Sequence, residues 1–175
     1  MSDQRMATFL ASVEQRAYRM ALFAVRNRDD AMDVVQDAML QLVQRYGARS
    51  EQEWAPLFYR IVQNKITDAH RKKRWARVMM PWRDDTDEHS THAEIADQQQ
   101  PSQAEQLQQS RAMQRLQAGL HKLPHRQQQA YLLRHWEGLD VKQTAQAMSC
   151  SEGSVKTHLS RALSALKIEL AEDWP

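Results

Sequence analysis

From Met6 to Arg26 the apolar residues Phe9, Leu10, Val13, Ala17, Met20 and Ala24 recur three or four positions apart, the spacing of a helix with one covered side. Asn27-Arg28-Asp29-Asp30 supplies a turn and an N-cap. A second helix over Asp30 to Tyr46 then turns Ala31, Val35, Ala38 or Met39, Leu42 and Tyr46 inward and stops at Gly47. Ser50 and Glu53 form a capping box for a third helix, which buries Phe58, Ile61, Val62, Ile66 and Ala69. The pattern lapses over Arg83 to Glu105, where Ile95 is the one large aliphatic residue. It resumes after a second capping box, Ser102 with Glu105, with Leu107, Met113, Leu116, Leu120 and Leu123. Pro124 starts a fifth helix that buries Ala130, Leu133 and Trp136 and ends at Gly138. Asp140, with Gln143 at the reciprocal position, caps the next. The pattern breaks around Met148-Ser149-Cys150-Ser151 and restarts with Val155, Leu159, Leu163 (with Ala162) and Leu166, which predicts a helix-turn-helix. The expected fold is all-α: two small helical bundles, 1–82 and 106–175, joined by a flexible acidic linker, 83–105.

Charge sharpens this division. The net formal charge of +2 is distributed as +5 over 1–82, −6 over 83–105 and +3 over 106–175, as expected of two polyanion-binding modules on a self-shielding tether. A single cysteine, Cys150, excludes an intramolecular disulfide and a multi-cysteine zinc site, and suits a reducing compartment. The longest apolar run, Met20 to Val25, is six residues, where a membrane span needs about twenty. A soluble, cytoplasmic protein without membrane insertion is therefore expected.

Enzyme chemistry finds little support. His89 and His92 beside Asp85, Asp87 and Glu88 have no framework to fix metal geometry, and Pro124 separates His121 from His125. Cys150 reads as a small buried hydrophobe with no base placed beside it. No catalytic residues, metal or cofactor are expected.

The polar faces are more informative. Asp33, Gln36, Asp37 and Leu40 share one ridge of the second helix; a solvated face explains the charges, and a protein-docking ridge also explains Leu40. On the third helix Arg60, Asn64, Thr67, Asp68 and Arg71 form an outward line, continued by Lys72, Lys73, Arg74 and Arg77 around Trp75. Cations neutralise phosphates, amides and carboxylates read base edges, and aromatics stack on unpaired bases, so this is either a single-strand reader or a basic solvated helix end. On the last helix Glu152, Ser154, Lys156, Thr157, Ser160 and Arg161 stand opposite the apolar stripe, where a groove-inserted helix presents its reading residues.

The run LPHRQQQAYLLRHWEGLDVKQTAQAMSCSEGSVKTHLSRALSALK resembles region 4 of the extracytoplasmic-function sigma factors of bacterial RNA polymerase. RDDAMDVVQDAMLQLVQRY and LFYRIVQNKITDAHRKKR resemble region 2 of the same family. The resemblance implies a transcription initiation factor, not an enzyme, whose Asp33, Gln36, Asp37 and Leu40 meet core RNA polymerase at the β′ clamp helices, with further contact to the β subunit. It places Asn64 and Asp68 on the non-template strand of the minus-ten element of promoter DNA, and Arg60, Lys65, Arg71, Lys72, Lys73 and Arg74 on nearby phosphates. It places Lys156, Thr157, Ser160 and Arg161 in the major groove at the minus-thirty-five element, with Ser154 near the backbone, and it implies an anti-sigma factor as a regulatory partner. Thr144, Leu57 and Met39 depart from the family's usual Ile, Trp and Phe, and the loop Gly47 to Ala55, which helps capture a base in the family, has no clear match. The alternative is a helix-turn-helix repressor or activator that binds its operator without core polymerase.

Overall fold

The computed structural model describes residues 2–82 and 103–171. They form α1 (Ser2–Val25), α2 (Arg28–Tyr46), α3 (Glu51–Met79), α4 (Gln103–Lys122), α5 (His125–Tyr131, continued by a π-helical turn over Leu132–Trp136), α6 (Val141–Met148) and α7 (Glu152–Glu169). No strand occurs among the described residues. Helix α4 begins three residues inside the stretch read as linker; the rest of that linker, His89, His92 and Ser102 of the expected capping box lie outside the described residues.

Helices α1, α2 and α3 pack on one another as a three-helix bundle. Val13, Ala17, Met20, Ala31, Val35, Ala38, Leu42, Phe58, Val62 and Ile66 are buried at its centre, as the periodicity predicts. Each large side chain taken fully from water contributes about 1.5–3 kcal/mol, so this face is what makes the three segments helical together. Between α1 and α2 the chain reverses through Arg26, at a left-handed φ of 58°, and Asn27, whose Oδ1 accepts the Asp30 N–H at 2.9 Å. At the end of α2, Gly47 has an ordinary right-handed φ of −58°; glycine is needed because an added Cβ would lie 2.8 Å from the Val43 carbonyl oxygen. Glu53 caps α3 by accepting from the Ser50 N–H at 3.1 Å and its hydroxyl at 2.9 Å.

In the second module α4, α5 and α6 all pack on α7. Leu120, Leu123, Ala162 and Leu166 form its smaller core. Gly119 lets α4 close on α7, since a Cβ there would meet Leu166 Cδ2 at 3.0 Å. The expected stripes shift in detail: Met113 and Leu163 are exposed, and Ala162 takes the buried place. The π-helical turn, with Glu137 N–H bonded to the Leu132 carbonyl at 3.1 Å, inserts one residue into the helical winding and buries Leu132 and Leu133 together. Gly138, at φ +68°, ends the segment.

The two modules touch. Helix α3 lies against α6, and the main apolar cluster runs without interruption from Met6 to Val155. Phe23 of α1 stacks on His121 of α4 at 4.0 Å and meets Trp136 edge-on at 5.3 Å. Trp136, expected in the core of the second bundle, is thus half-buried against the first.

Candidate nucleic-acid interface

The helix-turn-helix is built by local hydrogen bonding. Asp140 Oδ1 accepts the Gln143 N–H at 2.7 Å while Gln143 Oε1 accepts the Asp140 N–H at 3.1 Å, which fixes the start of α6. Ser149 turns the chain in the left-handed region, φ 53°, and the Cys150 N–H returns to the Ala145 carbonyl at 3.1 Å. Ser151 Oγ then accepts the Ser154 N–H at 3.1 Å and starts α7. Arg126 ties α5 to this turn by donating to the Met148 carbonyl at 2.8 Å. Thr144 is fully buried in place of an aliphatic residue, and its hydroxyl is satisfied by the Asp140 carbonyl at 2.7 Å, so the departure leaves no orphaned polar group. Cys150 is half-buried.

With Val155, Ala162 and Leu166 turned inward, Lys156, Thr157, Ser160 and Arg161 stand exposed on the opposite side of α7, with Ser154 half-buried at its start. This side joins two cations to short hydroxyls at the N-terminal half of the second helix of the motif.

On α3 the outward line divides. Asn64, Asp68 and Arg71 are exposed, as are Lys72 and Arg74. Arg60, by contrast, donates from Nε and Nη2 to the Gln146 carbonyl at 2.9 and 2.7 Å, and Thr67 Oγ1 lies 3.3 Å from His125 Nε2. Lys73 donates to the Val25 carbonyl at 3.2 Å, a cation at the negative end of α1. Lys65 pairs with Asp37 at 3.4 Å, which joins a residue of the expected strand reader to one of the expected docking ridge. Trp75 is 66% exposed beside the cations, while Trp54, in the stretch aligned with a base-capturing loop, is buried against Phe9 as core. Helix α3 already begins at Glu51, so most of that loop is helix here.

Asp33, Gln36, Asp37 and Leu40 are exposed along one side of α2, with Leu40 at 57%. Met32 and Val43 extend the ridge and are also exposed. Sequence reading missed both because each taken singly looks like an ordinary helical position.

Also missed was a polar seam between the modules. Tyr59 donates its hydroxyl to the Glu137 carboxylate, both groups being buried, with Arg16 of α1 3.9 Å away. Gln129 donates to Gln63 Oε1 at 2.9 Å, again buried, and Gln63 donates to the Met20 sulfur at 3.2 Å. Burial, followed by the neighbouring carboxylate, raises the Tyr59 pKa; burial raises that of Glu137, against opposing contributions from the Tyr59 hydrogen bond and Arg16. Burial lowers the pKa of His70, His121 and His125, with smaller contributions from Lys73 and Arg26, from Arg26, and from His70 and Arg126 respectively. His121 reaches about 4. A histidine whose folded pKa lies below its unfolded value stabilises the fold above the unfolded pKa and loses that contribution as pH falls. Stability from His121 is therefore expected to decline between pH 6.5 and about 4. Thermal melts across this range should show a shallower pH dependence in His121→Phe, which retains an aromatic ring against Phe23.

Among the described residues no cluster of His, Cys, Asp or Glu could hold a metal. No described helix is long and apolar enough to cross a membrane. A shallow cleft of about 470 Å³ beside the Arg60 contact is lined by Lys142, Gln146, Cys150 and Glu152, without a nucleophile–base pair.

Comparison with known proteins finds two matching regions in the chain. Residues 8–76 match sigma-70 region 2 and residues 113–166 match sigma-70, region 4. The chain is 27% identical over 169 residues to the RNA polymerase sigma factor SigV of Bacillus subtilis, covering 96% of this chain and 92% of that one. It is 28% identical over 148 residues to the RNA polymerase sigma-E factor of Streptomyces coelicolor, covering 81% and 72%. In fold it is similar to the sigma factor RpoE of Bartonella quintana, solved with the anti-sigma factor NepR, with a TM-score of 0.69, 22% identity and 98% of each chain covered. It is similar also to CnrH, solved with the cytosolic domain of CnrY, with a TM-score of 0.54, 23% identity and 99% and 100% coverage. With both regions present in order, and full-length relatives that are themselves sigma factors, the chain belongs to the sigma-70 family of RNA polymerase sigma factors, in its extracytoplasmic-function group.

Proposed function

We propose that the chain acts by bipartite promoter recognition, with residues 1–82 as the core-polymerase and minus-ten module and residues 106–175 as the minus-thirty-five module. The reading rests chiefly on one observation: α7 of the helix-turn-helix presents Lys156, Thr157, Ser160 and Arg161 to solvent in a chain whose α3 also presents Asn64 and Asp68. A duplex reader and a strand reader on one chain fit a factor that meets the same promoter in paired and melted states. Ser154 approaches the duplex backbone, and Arg71, Lys72 and Arg74 hold phosphates near the captured strand, joined by Arg60, Lys65 and Lys73 once their internal partners give way. Unstacking costs a few kcal/mol per base step, and capture of the freed strand by Asn64 and Asp68 offsets it. The chain performs no bond chemistry itself.

Asp33, Gln36, Asp37 and Leu40 dock on the β′ clamp helices, region 4 approaches the β subunit, and a cytoplasmic anti-sigma contact restrains the factor. The anti-sigma factor NepR, solved in complex with the structurally similar RpoE of Bartonella quintana, supports this last part. Because Lys65 occupies Asp37 in the free chain, polymerase cations that engage Asp37 release Lys65 toward phosphate.

The test is run-off transcription from a promoter library with purified core polymerase. Transcripts that require the chain support the reading; nanomolar binding by the chain alone with no transcript favours a repressor. Asp37→Ala is expected to weaken core binding about tenfold, roughly 1.4 kcal/mol, while duplex binding by α7 is unchanged; fluorescence titration against core enzyme and against duplex measures the two separately.

A further inference from the structure

We propose that Arg126 is a positioning residue for the reading helix: it clamps the turn between α6 and α7 in a conformation that Ser149 disfavours, and so sets the pose in which α7 meets the duplex. The inference deepens the promoter-binding reading above and rests on it. Three observations carry it. The first is the backbone of the turn. Ser149, Cys150 and Ser151 connect α6 to α7, so their dihedral angles decide how the reading face is aimed relative to the rest of the module. Ser149 has φ 53° and ψ 47°, in the left-handed region that glycine enters freely and a residue with a Cβ does not. Its side chain is exposed, so its own packing does not hold it there. The preceding left-handed end in this module, by contrast, is made by a glycine, Gly138 at φ +68°.

The second observation is what grips the turn. Arg126 of α5, half-buried, donates from Nη2 to the Met148 carbonyl at 2.8 Å and from Nη1 to Gln129 Oε1 at 3.1 Å. Met148 is the last residue of α6, where carbonyls lack helical partners and the helix dipole gathers negative charge, so a guanidinium is a strong partner for it. The peptide plane that carries this carbonyl also carries the Ser149 nitrogen, and its orientation sets φ of Ser149. A bond that fixes the plane therefore fixes the left-handed residue, and the second bond to Gln129 keeps the planar guanidinium from swinging away. Arg60 of the first module reaches the neighbouring Gln146 carbonyl, but Arg126 belongs to the same module as α7 and stays with the turn wherever that module docks.

The third is location. Lys156, Thr157, Ser160 and Arg161 face solvent on α7, whereas Arg126 lies on α5 with both terminal nitrogens engaged internally. It acts through the turn and not by touching DNA. Hydrogen bonds to base edges weaken steeply when misaligned, while attraction to phosphate falls off gradually with distance. A loosened turn should thus cost sequence preference before general affinity.

The experiment pairs a functional readout with a local one. The full-length chain with core polymerase is assayed on two run-off templates, one with a minus-thirty-five element selected from the promoter library and one with that element scrambled. In parallel, the single thiol, Cys150, which lies half-buried in the turn, is reacted with an aromatic disulfide reagent. Arg126→Ala is expected to lower transcription from the intact template at least fivefold, to leave the scrambled template within twofold, and to speed the thiol reaction at least fivefold. Arg126→Gln takes its place if the alanine variant melts below the assay temperature. Arg126→Lys, which keeps a cationic donor, should show less than half of each effect. Ser149→Gly added to Arg126→Ala should bring both readouts back to within twofold of wild type, because glycine holds the left-handed turn without a clamp. Unchanged thiol rate and intact-template transcription in Arg126→Ala overturn the proposal. So does an equal loss on both templates, the mark of a phosphate contact, and so does failure of Ser149→Gly to restore the paired variant. If the wild-type chain itself does not distinguish the two templates, the promoter reading has failed, and the thiol rates still decide whether Arg126 holds the turn.

Discussion

Replacing Lys156 and Arg161 together by alanine is expected to weaken binding to a minus-thirty-five duplex by about 2–6 kcal/mol, from about 1–3 kcal/mol for each well-placed contact. The effects should be close to additive, because the side chains lie five positions apart on α7 and share no partner that the structure shows. Both are exposed, so the loss should leave the thermal midpoint of the free chain almost unchanged. Two readouts divide the roles. A contact to phosphate weakens all sequences alike and lowers the salt dependence of binding, whereas a contact to a base edge relaxes preference at one position. Wild-type affinity in the double variant would remove α7 as the reading helix.

Tyr59→Phe is expected to destabilise the chain by about 1–3 kcal/mol, since it takes the hydrogen-bond donor from a buried carboxylate and leaves its desolvation uncompensated. Glu137→Gln should have a much smaller effect or stabilise, because an amide oxygen still accepts the Tyr59 hydroxyl and no charge is buried. The pH dependence separates these cases. The folded state raises the Glu137 pKa above 4.5, so the stability it contributes is complete below pH 4.5 and is lost as pH rises through the raised value. Urea denaturation at intervals from pH 4 to 8 should therefore show a declining component in the wild type that Glu137→Gln abolishes. This trend is opposite to that of His121, so each is isolated only as a difference from its own variant.

Much of this architecture is legible in the sequence where period and cap agree. Helices α1 to α3 carry the predicted inward residues and the Asp140–Gln143 box forms as its side chains require, while α2 starts two residues before the expected Asp30, capped by Asn27. The exposed face of α7 follows from its buried stripe by simple geometry. What was hidden depends on groups remote in sequence. Gln63 and Gln129 are polar residues at inward positions, and only their meeting across 66 positions explains either one. Arg60 and Thr67 lie on the outward side of α3 as judged from the first bundle alone; the second bundle covers that side. Met113 illustrates the reverse error, an apolar residue in phase with its helix that is nevertheless exposed. Trp54 reads as part of a loop by resemblance, whereas the Ser50–Glu53 capping box already puts it inside α3, where it is core.

The π-helical turn over Leu132–Trp136 has a consequence for chain length. Each residue advances an α-helix by about 100°, so deleting one position from this turn would rewind it regularly and swing Glu137 away from Tyr59. A shortened variant could keep every side chain of the recognition helix and still lose the mutual fit of its two halves. A single extra step in the winding, rather than the identity of any one contact, sets how these halves come into register.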